Sequence, residues 1–202
     1  MNKGCFARNA YSTRRYLLMS SASFVLALAT LSPALAQVTI GGDSTPSDST
    51  LIDGSVDLEI GVSGPGMGSL DILNGATLTN ATGYVGVDVS GVGIVTVSGQ
   101  GSRWDNLGDV VIGQSGQGTL DILGGGFVSA DTGYVGASAD GTGIVTISGD
   151  DGAGNTSTWS LQRLVVGDEG TATLNVGQGG HVTTTGRIGV GSTGEWLRCG
   201  FR

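Results

Sequence analysis

From about residue 58 onward, apolar and polar positions recur in a fixed short pattern. Leu70-Asp71-Ile72, Val95-Thr96-Val97, Leu120-Asp121-Ile122, Val145-Thr146-Ile147 and Leu174-Asn175-Val176 each alternate apolar, polar, apolar. That is the period of a strand with one face buried. The first residues of these trios are 25, 25, 25 and 29 positions apart. A second column, a branched aliphatic residue followed directly by glycine, falls at Ile60, Val85, Ile112, Val135, Val166 and Ile188, with spacings of 25, 27, 23, 31 and 22. Two independent columns share one period, and a disordered tract has no reason to hold such a register, so the chain predicts a stacked repeat. Nothing beyond residue 36 has helical periodicity. The expected fold is all-β, a parallel β-helix of about six turns with about three short strands in each turn.

The units alternate in kind, so the sequence repeat spans two turns. "GSLDILNGATLTNATGYVG" (68–86) returns 50 positions later as "GTLDILGGGFVSADTGYVG" (118–136), and more loosely as "ATLNVGQGGHVTTTGRIG" (172–189). "GVGIVTVSGQGSRW" and "GTGIVTISGDDGAGNTSTW" lie between them, the second with a five-residue insertion before its tryptophan. In this alignment Tyr84, Tyr134 and Arg187 share a position, and only a solvent-facing site exchanges tyrosine for arginine cheaply. Val85, Val135 and Ile188 must then point inward.

Glycine numbers 39, far above the usual ~7%. The repeat turns this from a sign of disorder into a supply of tight turns. The first 36 residues read as an export signal: Lys3, Arg8, Arg14 and Arg15, an apolar stretch from Tyr16 to Leu31, then Ala34-Leu35-Ala36. The general and the twin-arginine export routes both fit Arg14-Arg15. Cleavage there takes four of the nine basic residues and none of the seventeen acids, leaving five against seventeen, a formal charge of −12. So acidic a chain repels phosphate backbones and anionic membranes, which argues against nucleic acid and lipid as partners. Cys5 leaves with the signal and Cys199 then has no partner for a disulfide.

The expected organisation is a signal peptide (1–36), a polar lead-in or cap (37–55), β-helix repeats (56–194) and an off-register tail (195–202). Gly194 follows Gly189 by five residues, as Gly91 follows Gly86 and Gly141 follows Gly136. The residues after it, "EWLRCGFR", match no unit. Two readings stand: a solenoid cut short within a turn, which is the favoured one, and a cap made by Trp196, Leu197 and Phe201.

Candidate chemistry is sparse. His181 is the only histidine, so no histidine triad or multi-histidine metal site can form. Asp71 and Asp121 share an outward column two turns apart, roughly 10 Å by strand spacing, near the separation of the carboxyl pair in inverting glycosidases. Thr96, Thr146 and Asn175 occupy the other places of that column, which reads as a polar outer face. Arg103, Arg163 and Arg187 are the only basic groups of the solenoid available to a lyase. Asp150, Asp151 and Asn155 offer oxygen atoms in the inserted loop, without an EF-hand or calcium-roll pattern. Trp104 and Trp159 recur at equivalent places and are expected to close a turn over the core, not to stack on sugars. Asn80-Ala81-Thr82 and Asn155-Thr156-Ser157 fit a glycosylation sequon. No catalytic, cofactor-binding or metal-binding residue is assigned.

The units "GTLDILGGGFVSADTGYVG" and "GIVTVSGQGSRWDNLGDVVIG" resemble the repeat of bacterial type V secretion (autotransporter) passenger regions and PEP-CTERM-associated proteins. Gly101-Ser102-Arg103-Trp104 matches its glycine-serine-x-tryptophan step. The resemblance covers about residues 60–194 and implies a right-handed β-helix displayed outside the cell, commonly in adhesin-like or structural surface proteins. The expectation is an exported, non-enzymatic passenger-like fragment of such a protein, in the periplasm or at the cell exterior. Its expected partner is a host or cell-surface protein or glycan; no cofactor and no membrane insertion of the mature chain are expected. The alternative is a glycan-acting β-helix enzyme, hydrolase or lyase, using outer-face carboxylates.

Overall fold

The computed structural model describes residues 36–47, 49, 52–64 and 66–191. The expected signal peptide, apart from Ala36, and the tail 195–202 lie outside these residues. Among them the protein is all-β. Two strands stand at the N-terminal end, β1 (Gln37–Gly41) and β2 (Ser44–Thr45). There follow β3 (Leu58–Ile60), β4 (Met67–Leu73), β5 (Thr77–Asn80), β6 (Gly83–Val85), β7 (Val92–Ser98), β8 (Arg103–Asn106) and β9 (Val110–Ile112). The later turns supply β10 (Gln117–Leu123), β11 (Phe127–Val135), β12 (Thr142–Ser148), β13 (Ser157–Val166), β14 (Thr171–Val176), β15 (Gly180–Thr184) and β16 (Ile188–Val190).

These strands stack in three parallel ladders, as a solenoid with three strands in a turn requires. The first is β4-β7-β10-β12-β14. The second runs β5-β8 and then through the leading halves of β11 and β13 to β15. The third runs β3-β6-β9 and through the trailing halves of β11 and β13 to β16. Inward positions form one continuous core. Leu70, Val95, Leu120 and Val145 from the first ladder and Ile60, Val85, Ile112 and Val135 from the third are all between 0% and 1% exposed.

The first ladder holds five parallel strands, giving about five turns where six were expected. The place of a sixth is taken by β1, which pairs with β4 antiparallel, Val38 opposite Ile72 and Ile40 opposite Leu70. Val38 and Ile40 pack on the core, and β2 runs antiparallel along β3 in the same way. The alternation in Gln37-Val-Thr-Ile lets either strand direction bury the same face, so pattern alone does not set direction.

A recurring close constraint is the glycine that follows the third strand of each turn. Gly61, Gly86, Gly113, Gly136 and Gly167 all have φ between 67° and 73°. A Cβ on the first four would sit 2.3 or 2.4 Å from backbone atoms of Val92, Gln117, Thr142 or Thr171, where the strand one turn on begins. Their N–H groups donate along the stack: Gly86 to Ile60 O, Gly113 to Val85 O, Gly136 to Ile112 O and Gly167 to Val135 O, at 2.7–2.8 Å. Gly191 continues the series, donating to Val166 O at 2.9 Å.

That bond corrects the register of the last unit. Val190, not Ile188, lies opposite Val166, and Ile188 lies opposite Leu164. The sequence offers two aliphatic-glycine steps in a row, Ile188-Gly189 and Val190-Gly191, and the second keeps a spacing of 24 from Val166. The slip is two residues, so it preserves the face. Ile188 and Val190 are nonetheless 58% and 52% exposed, because they stand on the last described rung. Arg187 consequently aligns with Thr82 and Thr132, not with Tyr84 and Tyr134.

Gly113→Ala should destabilise strongly, because the left-handed backbone costs about 1–2 kcal/mol and the methyl also meets Thr142 O. Gly152 has φ 76° and nothing within 4 Å of its would-be Cβ, so Gly152→Ala should lose only the backbone part. Urea unfolding of both variants measures the difference; equal losses would remove the close-approach argument.

Candidate functional site

Asp71 and Asp121 lie where the sequence places them. Both stand opposite Thr96, on the strands to either side of β7. Their outward column continues through Thr146 and Asn175, and Thr39 precedes it on β1. The stack holds the carboxylates two rungs apart with a threonine between them. Each is half-buried among its column neighbours.

His181 lies opposite Thr158 on β13, in the column of Thr77, Arg103 and Phe127, and is exposed. In the same column Arg103 stacks over the Phe127 ring at 4.2 Å and pairs with Asp105 at 2.5 Å. Asp105 also accepts a bond from the Ser129 hydroxyl. Among the described residues no group of three or more His, Cys, Asp or Glu is placed to hold a metal ion.

The inserted loop uses its own oxygens. Asp151 Oδ1 accepts the backbone N–H groups of Ala153 (2.8 Å) and Asn155 (2.9 Å), and its Oδ2 accepts the Asn155 amide. Asp150 Oδ1 accepts Gly152 N–H at 2.8 Å. These bonds build a closed turn, and the Asn155 side-chain bond leads in holding the Asp151 carboxyl below its ordinary value.

Trp104 and Trp159 are fully buried in the interior column Leu78-Trp104-Val128-Trp159-Val182. Two residues before each stands a buried serine that ties the corner together. Ser102 Oγ donates to Ser98 O (2.6 Å) and accepts Gly75 N–H (3.0 Å), while Ser157 Oγ donates to Ser148 O (2.8 Å) and accepts Gly125 N–H (3.1 Å). The recurring serine-x-tryptophan is therefore a corner motif. Trp104 Nε1 donates to Asn80 Oδ1 at 2.6 Å, Asn80 donates to Asn106 Oδ1 at 3.0 Å, and Asn106 donates to Ser129 O at 3.2 Å. This buried amide ladder escaped the sequence reading, which saw Asn80 only as the head of a sequon. It is fully buried and bonded on both sides. At the matching place before Trp159 stands Ala130, and the Trp159 Nε1 is buried without a partner among the described residues.

On the third ladder the outward column runs Glu59-Tyr84-Val111-Tyr134-Val165. Val111 and Val165 are 8% and 5% exposed although they point outward, each beside a tyrosine on a neighbouring rung. Burial, then the charges of Asp57, Asp109 and Glu59, push the Tyr84 phenol up. A cleft of about 400 Å³ at the N-terminal end is lined by Val38, Ser49, Ile52, Asp53 and Thr77–Thr79.

In comparisons with known proteins the chain matches no family model, no curated protein and no solved structure. No helix among the described residues is long and apolar enough to cross a membrane.

Asn80→Ala should cost about 1–3 kcal/mol, because it leaves the Trp104 N–H and an Asn106 acceptor buried without partners; thermal or urea unfolding reads it. For Asp151 the folded-state pKa is lowered, so its bonds support the loop above the unfolded carboxylate value and fade as pH falls through the folded one. The Ala153 and Asn155 amide signals should therefore shift together in acid, at a midpoint below that of an ordinary aspartate. A midpoint at or above that value would contradict the bonded turn.

Proposed function

We propose that this chain is an exported, non-enzymatic, passenger-like stretch of an autotransporter or adhesin-type surface protein. It serves as a stiff spacer whose outer columns meet protein or glycan on a host or neighbouring cell. The observation that carries this reading is the use made of each turn. Its inward residues extend one core, and its outward residues change kind from rung to rung, as in Asp71-Thr96-Asp121-Thr146-Asn175. A surface of this kind suits adhesion through many weak contacts.

The glycan-acting alternative has one observation in its favour, the alignment of Asp71 and Asp121 on one column. Incubation with acidic and neutral polysaccharides, using the parent chain and the Asp71→Asn and Asp121→Asn variants, separates the two. The spacer reading expects no chain cleavage by any of the three. Turnover by the parent that either variant abolishes would establish the enzyme instead. Protease accessibility on intact cells of the producing organism tests display.

A further inference from the structure

One outward column of the third ladder carries a switch of charge. Preceding the first inward residue of each third-ladder strand stand, rung by rung, Asp57, Thr82, Asp109, Thr132, Arg163 and Arg187. The two-turn repeat makes Asp57, Asp109 and Arg163 equivalents of one another, and Thr82, Thr132 and Arg187 likewise. In the first pair the Asp57 carboxylate accepts the Thr82 backbone N–H at 2.9 Å, and in the second Asp109 accepts that of Thr132 at 3.0 Å. In the third pair the acceptor is replaced by Arg163, which has only donors. The Arg187 N–H thus stands where its equivalents are capped by a carboxylate, and it has no such acceptor among the described residues.

The replacement also gathers positive charge. The described residues hold three arginines: Arg103 is paired with Asp105, while Arg163 and Arg187 are exposed, adjacent in the column and without a carboxylate partner among the described residues. They line a groove of about 680 Å³ together with Gln162, Thr185 and Ile188. The nearby Asp131 carboxylate is engaged by the Gln162 amide at 2.7 Å. Two arginines lining one groove, beside a backbone N–H without a carboxylate cap, supply a set of donors for a carboxylate.

We propose that this groove binds an external carboxylate, that of an aspartate or glutamate on an extended acidic segment of a partner protein, seated where Asp57 and Asp109 sit in the earlier turns. A peptide source is favoured because the occupant it replaces is itself an aspartate of a polypeptide, placed directly before a strand, and because Ile188 lines the same groove beside the two arginines. The site stands whether or not the chain is displayed on a cell, so its test and the display test are independent.

Titration of the full chain at low salt with a synthetic peptide bearing alternate aspartates, followed by amide NMR, decides it. The Arg187 amide should shift saturably, and the same peptide with asparagines should leave it unmoved. Arg163→Gln and Arg187→Gln, both at exposed positions, should each weaken binding about tenfold or more. Arg163→Asp is the sharper variant. It recreates the internal cap, so peptide binding should vanish while the Arg187 amide becomes as slow to exchange as those of Thr82 and Thr132. Binding that survives the double Arg163→Gln/Arg187→Gln change, or an Arg187 amide that never moves, overturns the site. Binding of a uronic acid oligomer or of acetate equal to that of the peptide overturns the peptide as its source.

Discussion

The structure depends on how closely one turn's corner can approach the next. Parallel strands pair only at a separation of roughly 4.8 Å, and a chain that must turn three times in some 25 residues has to pass its corners at that same distance. At Gly61, Gly86, Gly113 and Gly136 the backbone of the following turn fills the space a side chain would need. Glycine supplies both the left-handed φ and the missing atom there. Given those corners, each strand lands directly over its predecessor, and the inward columns become a core without further instruction. The high glycine content is a consequence of that geometry, and so is the small share left for other chemistry.

Stacking similar turns leaves one choice of register open, since a slip of two residues keeps every apolar side chain on the inner face. The polar groups placed inside meet this need. Asn80, Asn106 and the Trp104 indole satisfy one another only if two successive rungs are correctly matched, the Asn106 bond to Ser129 O ties in a third, and Ser102 and Ser157 each bridge two turns at a corner. A slip of two residues would strand several buried donors, each a loss of about 1–3 kcal/mol. Apolar stacking supplies the affinity between turns, and a few amides and hydroxyls select the alignment.

The sequence was legible wherever the constraint is periodic. The trios beginning at Leu70, Val95, Leu120, Val145 and Leu174 mark the first ladder because every rung repeats the same in-out demand. Laying residues 172–189 over 68–86 and 118–136 puts His181 in the column of Thr77 and Phe127, where the strand pairing also has it. Legibility failed where two choices satisfy the same parity. Ile188-Gly189 and Val190-Gly191 both offer an inward aliphatic before a glycine, and only the bond from Gly191 N–H to Val166 O separates them. The antiparallel direction of β1 was hidden for a similar reason, because an alternating strand reads alike from either end. The Asn80 ladder was missed because its members are 24 and 26 residues apart, so no local pattern announces them.

Outward columns obey a looser rule, and any specificity must be written there. Each outward position is repeated at one strand spacing, so a change of residue on one rung alters a site already bounded by its neighbours. In the column headed by Asp57, carboxylate and backbone donor are matched within the chain for two repeats, and the third repeat reverses the sign. The strand pairing on either side is unchanged by that reversal, since Thr132 and Arg163 still face each other in register. Folding therefore places no demand on Arg163 that an aspartate would not meet equally well. A solenoid separates the two kinds of requirement by direction: residues pointing in are held by the stack, and those pointing out are free to answer to something beyond it. The charge reversal at Arg163 lies wholly on the second side of that division.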